Sequence, residues 1–296
     1  MKPWLQAARL RTLPLALSSI LMGCFLAAAS GQFSWKIALL AVFTTVFLQV
    51  LSNFANDYGD AVSGKDTDAR QGPKRAVQSG AITAKAMKKA MILMSALSFS
   101  AGCWLLYEAL HDATWQTFAT FLGLGVLAII AAITYTAGKR PYGYVGLGDI
   151  SVLLFFGWVG VLGAYYLHTQ SIDWTLLLPA TSCGLLAVGV LNINNIRDIE
   201  SDTLTGKKSI PVRIGRKNAI VYHWFLLITA MICAVVFLTI SSYSWGWVVL
   251  LSFPLFLRNG LAVSSLTDPR KLDPYLRQMA LSTLLFVILL GVGCLL

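Results

Sequence analysis

Charge is what this 296-residue sequence lacks. Asp, Glu, Lys and Arg together make up 12% of it, about half the share of a soluble globular domain. Residues 12–35, 37–56 and 278–296 contain no charged residue at all. Roughly 20 consecutive apolar residues suffice to cross a bilayer as a helix, so the composition points away from a soluble domain and towards a polytopic membrane protein. A cysteine pattern is also missing. Cys24, Cys103, Cys183, Cys233 and Cys294 lie far apart in apolar segments with no Cys-x-x-Cys, which reads as small buried hydrophobes rather than a metal or disulfide framework. The three histidines, His111, His168 and His223, are scattered and form no ligand cluster. No span carries a charged residue in its middle, where ion and proton pathways need one. That argues against a pump or coupled transporter. The first segment has a basic start (Arg9, Arg11) and an Ala27-Ala-Ala29 that resembles a cleavage site, but its apolar stretch exceeds the ~7–15 residues of a signal core.

What is present is an all-α pattern of nine expected spans, at about 12–30, 36–55, 88–107, 117–137, 149–167, 174–195, 218–240, 244–262 and 278–296. The eighth is interrupted by Pro254 and Arg258, with Arg258 expected at its cytoplasmic end. All but one of the 23 Lys and Arg residues then fall on one side, Lys36 being the exception. By the positive-inside rule this predicts a cytoplasmic N-terminus and, after nine spans, an external C-terminus. The net charge of +10 is therefore the signature of a cytoplasmic membrane face suited to anions, and does not call for nucleic acid.

Two polar clusters stand out, each at the mouth of a span. The first is Asn53-x-x-Asn56-Asp57-Tyr58-Gly-Asp60; the second is Asn192-x-Asn194-Asn195-x-Arg197-Asp198-x-x-x-Asp202. Asn53, Asn56, Asp57 and Asp60 are three or four residues apart, which on a helix puts them on one face, as it does Asn195, Asp198 and Asp202. Mg²⁺ takes oxygen ligands, commonly one or two carboxylates with waters and phosphates. Two such faces opposed would hold two or more ions against a diphosphate, and the ions would relieve the repulsion among Asp57, Asp60, Asp198 and Asp202. Basic residues follow each cluster: Arg70, Arg75 and the Gly72-Pro73-Lys74 turn after the first, Lys207 after the second, Arg197 inside it, and Arg140 from another loop. Arg and Lys are the usual partners of phosphate oxygens. A prenyl diphosphate combines such a head with an apolar tail. The allylic cation it leaves would need a dry pocket and aromatic faces, for which Tyr58, Tyr135, Tyr142, Phe155, Phe156 and Trp158 are candidates. The spacing of the clusters, four spans apart, suggests two four-helix units (spans 1–4 and 5–8) plus a ninth helix within a single domain, 1–296.

These stretches resemble the UbiA superfamily of intramembrane aromatic prenyltransferases, nearly end to end from Arg11-Thr-Leu-Pro14. The motifs that carry the resemblance are the two clusters, Gly64-x-Asp66-x-x-x-Arg70-x-Gly-Pro73, Ile133-Thr-Tyr-Thr136, Arg140-Pro-Tyr-Gly143, Gly146-Leu-Gly-Asp149 and Gly206-Lys207. Within the superfamily they are most similar to the menaquinone branch, which prenylates 1,4-dihydroxy-2-naphthoate. The resemblance implies a nine-helix bundle in the bacterial inner membrane, Mg²⁺ dependence, a cytoplasmic site, and polyprenyl transfer from its diphosphate with loss of CO₂. By motif match it implies Mg²⁺–diphosphate on Asn56, Asp60, Asp198 and Asp202; the residues themselves add Asp57 as a metal ligand, Asn53, Arg70, Arg75, Arg140, Arg197 and Lys207 for diphosphate, and catalytic roles for Asp60, Asp66, Asp198, Asp202 and Tyr135. Where the broader superfamily has a third acidic residue in its first motif, this chain has Gly64, with Asp66 two residues later. Arg9 and Arg11 both stand as candidates to face the site. The competing expectations are a related enzyme acting on 4-hydroxybenzoate or homogentisate, and a metal or organic-anion transporter.

Overall fold

The structure, a computed structural model, describes residues 1–66, 72 and 74–296. Arg70 and Pro73 lie outside the described residues. Among those described, nine helices are long and apolar enough to cross a membrane: α1 (Lys2–Ala29), α2 (Trp35–Val62), α3 (Ala84–Leu110), α4 (Trp115–Thr134), α5 (Gly148–Thr169), α6 (Trp174–Arg197), α7 (Ile210–Ile240), α8 (Ser244–Ser265) and α9 (Pro269–Leu295). Helices satisfy their own backbone hydrogen bonds, which is why apolar runs of this length adopt them in lipid.

Several ends differ from the sequence-based expectation. α2 runs on through the first polar cluster to Val62, so Asn56 and Asp60 sit on its last turns. α7 begins at Ile210 but breaks at Gly215, whose φ of 78° and ψ of 160° are not helical. α8 opens as a 3₁₀ run, Ser244–Ser252, and becomes α-helical at Phe253. Pro254 sits in the first turn of that α-helical part, where its missing N–H costs nothing. Arg258 is exposed about two turns before the end of α8, not at the end itself, and its long side chain can reach back to the interface.

α1 is broken near its start. Lys2–Ala8 is helical, Arg9 is left-handed (φ 47°, ψ 56°), and a 3₁₀ turn leads into Leu13–Ala29. Asn53 of α2 brackets the break. Its Nδ2 donates to the Ala8 carbonyl at 2.8 Å and to Thr12 Oγ1 at 3.0 Å, while the Thr12 hydroxyl donates to the Arg9 carbonyl. A left-handed non-glycine residue persists only where its surroundings hold it there.

Packing divides the bundle unevenly. A large apolar core around Met22, Leu186, Ile193, Phe237, Phe256 and Phe286 ties α1 to α5, α6, α7, α8 and α9. A smaller one around Leu51, Phe54, Met87 and Met91 ties α2 to α3. α1 thus packs with the second half of the chain, across the division into spans 1–4 and 5–8 that the sequence suggests. α6 is the hub, with 72% of its apolar window buried, whereas none of the α4 window is.

The approach of α2 to the end of α4 is close. A Cβ at Gly59 would lie 2.5 Å from the Thr136 carbonyl oxygen and 2.9 Å from the Ala137 nitrogen. Gly59→Ala should therefore cost about 1–3 kcal/mol, the usual penalty of overpacking, read as a lower unfolding temperature of the purified protein. Gly102→Ala is the matched control, because its Cβ would meet nothing nearer than Thr44 Cγ2 at 3.8 Å. It should hold or raise the unfolding temperature, since alanine is the better helix former.

Candidate active site

The polar ends of α1, α2, α6 and α9 and the loop after α4 surround one cavity of about 550 Å³. Its polar end is lined by Arg9, Arg11, Asn56, Asp60, Arg75, Asp198, Asp202 and Lys207, and its apolar end by Ile20, Leu105, Phe121, Leu122 and Leu167. The two Asn/Asp clusters thus meet across a shared space, because α2 and α6 deliver them at matching ends. Tyr135, Tyr142, Phe155 and Phe156 also line it, whereas Tyr58 and Trp158 do not. Phe155 and Phe156 belong to a π-helical stretch of α5, Leu153–Val159, a distortion often found at functional sites.

Asp60 is the focus of the polar end. Its carboxylate is buried and accepts hydrogen bonds from Arg75 Nη1 and the Tyr144 hydroxyl, with Lys207 Nζ at 3.1 Å. Lys207 also reaches Asp202, at 3.8 Å, so one ammonium joins the two clusters. Its Nζ lies 5.0 Å from the centre of the Tyr144 ring, a cation–π distance. Asn56 is held by Thr136, whose hydroxyl lies 2.9 Å from both Asn56 Oδ1 and the Ala55 carbonyl.

Several expected roles are revised by these contacts. Asp57 does not line the cavity, because its oxygens accept the backbone N–H groups of Ala76 and Val77, both at 3.1 Å. It anchors the loop that carries Arg75 and is not placed as a metal ligand. Asn53 lines the cavity, but its amide donors are committed to the α1 break, so it positions α1 and does not offer them to a diphosphate. Arg197 is buried and forks onto Asp198 at 2.9 and 2.7 Å, with further bonds to Asp273 and Asn194, both at 2.8 Å. It neutralises Asp198 within the protein and is not poised for a phosphate. Arg140 is exposed and off the cavity. Asp66 lies 3.5 Å from Arg75 Nε and does not line the cavity, so it backs Arg75. The expected crowding of bare carboxylates is absent too. Asp57 is met by backbone N–H groups, Asp198 by Arg197, and Asp60 and Asp202 by Arg75 and Lys207.

Both Arg9 and Arg11 line the cavity, which answers which of the two faces it. Tyr144 and Asp273 were not picked out from the sequence. Asp273 lies beyond the last expected loop motif, at the start of α9. Tyr144 adjoins Arg140-Pro-Tyr-Gly143 and is turned onto Asp60 by the 3₁₀ turn Tyr142–Val145, which no periodicity announces.

Among the described residues no three His, Cys, Asp or Glu side chains gather as a metal cage. The donor set still fits Mg²⁺. Asp60 and Asp202 supply carboxylate oxygens, Asn56 supplies an amide oxygen, and the open cavity leaves room for waters and phosphates, the mixture this ion favours.

A profile of the UbiA prenyltransferase family matches residues 16–294. The chain belongs to this family. Among its relatives, the 1,4-dihydroxy-2-naphthoate octaprenyltransferase of Haemophilus influenzae is 49% identical, covering 100% of this chain and 96% of the relative. The enzyme of the same description from Escherichia coli is 49% identical over 96% of this chain and 94% of its own. Among solved structures, a UbiA homologue from Aeropyrum pernix superposes with a TM-score of 0.69 at 19% identity, over 95% of this chain and 96% of that one. A UbiA homologue from Archaeoglobus fulgidus bound to DMAPP and Mg²⁺ gives 0.62 at 17% identity, over 99% of each chain. These two share the fold.

In this UbiA-family site the tyrosines stay protonated. Burial pushes the phenols of Tyr135, Tyr142 and Tyr144 above their ordinary value, and the charge of Asp60 pushes Tyr144 further. Tyr144 therefore keeps donating to Asp60 up to and beyond about pH 10, the ordinary tyrosine pKa. Tyr144→Phe should lower kcat/KM for prenyl transfer roughly tenfold or more, as for loss of a hydrogen bond to a charged group. The ratio to wild type should stay constant between about pH 7 and pH 10. A ratio that closes as pH rises would show that the phenol ionises and would refute the assignment.

Proposed function

We propose that this protein transfers a polyprenyl chain from its diphosphate to 1,4-dihydroxy-2-naphthoate, releasing diphosphate and CO₂ and giving demethylmenaquinone. The observation that carries this reading is a cavity with a cation-lined, oxygen-rich end and an apolar end, matched to a substrate with an anionic head and a hydrocarbon tail. Full-length relatives at 49% identity described as 1,4-dihydroxy-2-naphthoate octaprenyltransferases support the acceptor and the class of donor.

Asp60 and Asp202, with Asn56, would hold Mg²⁺ against the diphosphate; when bound, the ion supplies charge neutralisation for the leaving group. Arg75 and Lys207 donate to the phosphate oxygens as the allylic C–O bond breaks and negative charge builds on them. The apolar walls exclude water from the allylic cation. The faces of Tyr135, Phe155 and Phe156 stabilise it by cation–π attraction. The naphthoate ring attacks at the carbon bearing its carboxylate, forming the new C–C bond. The C–CO₂ bond then breaks and its electron pair restores aromaticity, so no base is required at that carbon. Asp66 assists indirectly, by holding Arg75. The distribution of basic residues supports a multi-pass protein of the cytoplasmic membrane with the N-terminus and active site inside and the C-terminus outside.

The test is a product assay with 1,4-dihydroxy-2-naphthoate, a polyprenyl diphosphate and Mg²⁺. A prenylated, decarboxylated naphthoquinol that disappears with EDTA is expected. Asp60→Ala and Asp202→Ala should each lower kcat on the order of 10²-fold or more, as for other charge-stabilising groups. Product with 4-hydroxybenzoate or homogentisate but not with the naphthoate would overturn the acceptor assignment, and near-normal turnover in the Asp variants would overturn the metal site.

A further inference from the structure

The acidic site is neutralised by the protein's own cations. Arg75 Nη1 binds the Asp60 carboxylate and the Asn56 carbonyl, the latter at 2.5 Å. Lys207 Nζ sits 3.1 Å from the other Asp60 oxygen and 3.8 Å from Asp202. Neither cation is there by chance of a long side chain. The backbone just after Arg75 is tied to Asp57, and the backbone N–H of Lys207 bonds the Asp202 carbonyl at 2.9 Å after the left-handed turn at Gly206. Burial works against the charge on Arg75, yet Asp60 and Asp66 hold its pKa above the ordinary guanidinium value. Each cluster is thus followed by a basic residue that closes back on Asp60.

A bare divalent ion that takes Asp60 must displace these groups, and a buried guanidinium parted from its carboxylate is strongly disfavoured. An ion that arrives with a diphosphate brings phosphate oxygens to receive both displaced cations. We propose that Arg75 and Lys207 are resident counter-ions that exclude a bare divalent metal and pass to the diphosphate when metal and substrate enter together. This rests on the reading of diphosphate as the ligand of the site. It makes the affinities for metal and diphosphate mutually dependent by one and the same factor, as linkage requires.

The experiment measures Mn²⁺ binding to the full-length protein by electron paramagnetic resonance, with and without a non-reactive prenyl thiodiphosphate. In wild type, the analogue should tighten Mn²⁺ on the order of 5–150-fold, the usual range of such coupling, and Mn²⁺ should tighten the analogue by an equal factor. Lys207→Gln and Arg75→Gln should tighten Mn²⁺ in the absence of analogue while weakening the analogue, so that the coupling shrinks. Thermal unfolding checks both variants. Because Arg75 also fastens its loop, Lys207→Gln suffices alone if Arg75→Gln fails to fold. The proposal is overturned if wild type binds Mn²⁺ equally well without the analogue, or if Lys207→Gln leaves Mn²⁺-only binding unchanged or weaker. If wild type binds no thiodiphosphate at any metal concentration, the diphosphate reading itself falls. The Mn²⁺-only comparison of wild type with Lys207→Gln still decides whether Lys207 is a counter-ion.

Discussion

A buried carboxylate needs countercharge, and in this protein the demand of Asp60 organises the polar end of the bundle. Its partners come from three separate stretches of chain: Arg75 from the loop after α2, Tyr144 from the turn before α5, and Lys207 from the turn before α7. Backbone hydrogen bonds to Asp57, Asp202 and Tyr144 also fasten two of these stretches. Removing one partner of a buried ion pair typically costs about 3–5 kcal/mol, enough to hold them over the mouth of the cavity.

The apolar scaffold serves this arrangement by being rigid. α6 lies at the centre of the large core and carries its cluster on its final turns, where Arg197 locks Asp198 to Asp273 at the start of α9. α2 carries the other cluster and is pressed against the end of α4 at Gly59. Each carboxylate-bearing helix is thereby held by contacts close to its own cluster, at Gly59 in one and at Asp198 in the other. A site that works by placing charge around a departing anion requires that kind of fixed geometry.

Much of the fold was legible in the sequence because the bilayer imposes length and composition, and because the distribution of Lys and Arg orders the spans. The ends were less legible. α2, expected to stop near residue 55, continues to Val62, since hydropathy marks where lipid ends while helical hydrogen bonding carries on past it. Within the site, helical spacing correctly brought Asn56 and Asp60 to the cavity, and Asp198 and Asp202 opposite them. It failed for Asp57, because spacing says which way a side chain points and not which backbone comes to meet it. Arg197 reads differently for a related reason: a cation among acidic residues suggests a phosphate ligand until its partners Asp198 and, far along the chain, Asp273 are seen to claim it. Tyr144 was invisible to periodicity because a short 3₁₀ turn has none to show.

The left-handed break at Arg9 has a corollary. The first helical turns of α1 are joined through Ala8 and Thr12 to Asn53, one turn from Asn56 on the same helix. The beginning of the chain is therefore part of the mechanical support of the reaction centre, whereas Leu296 ends the chain at the opposite end of α9 from Asp273. The break thus couples residues that never touch the cavity, those before Arg9, to the helix that carries Asn56 and Asp60.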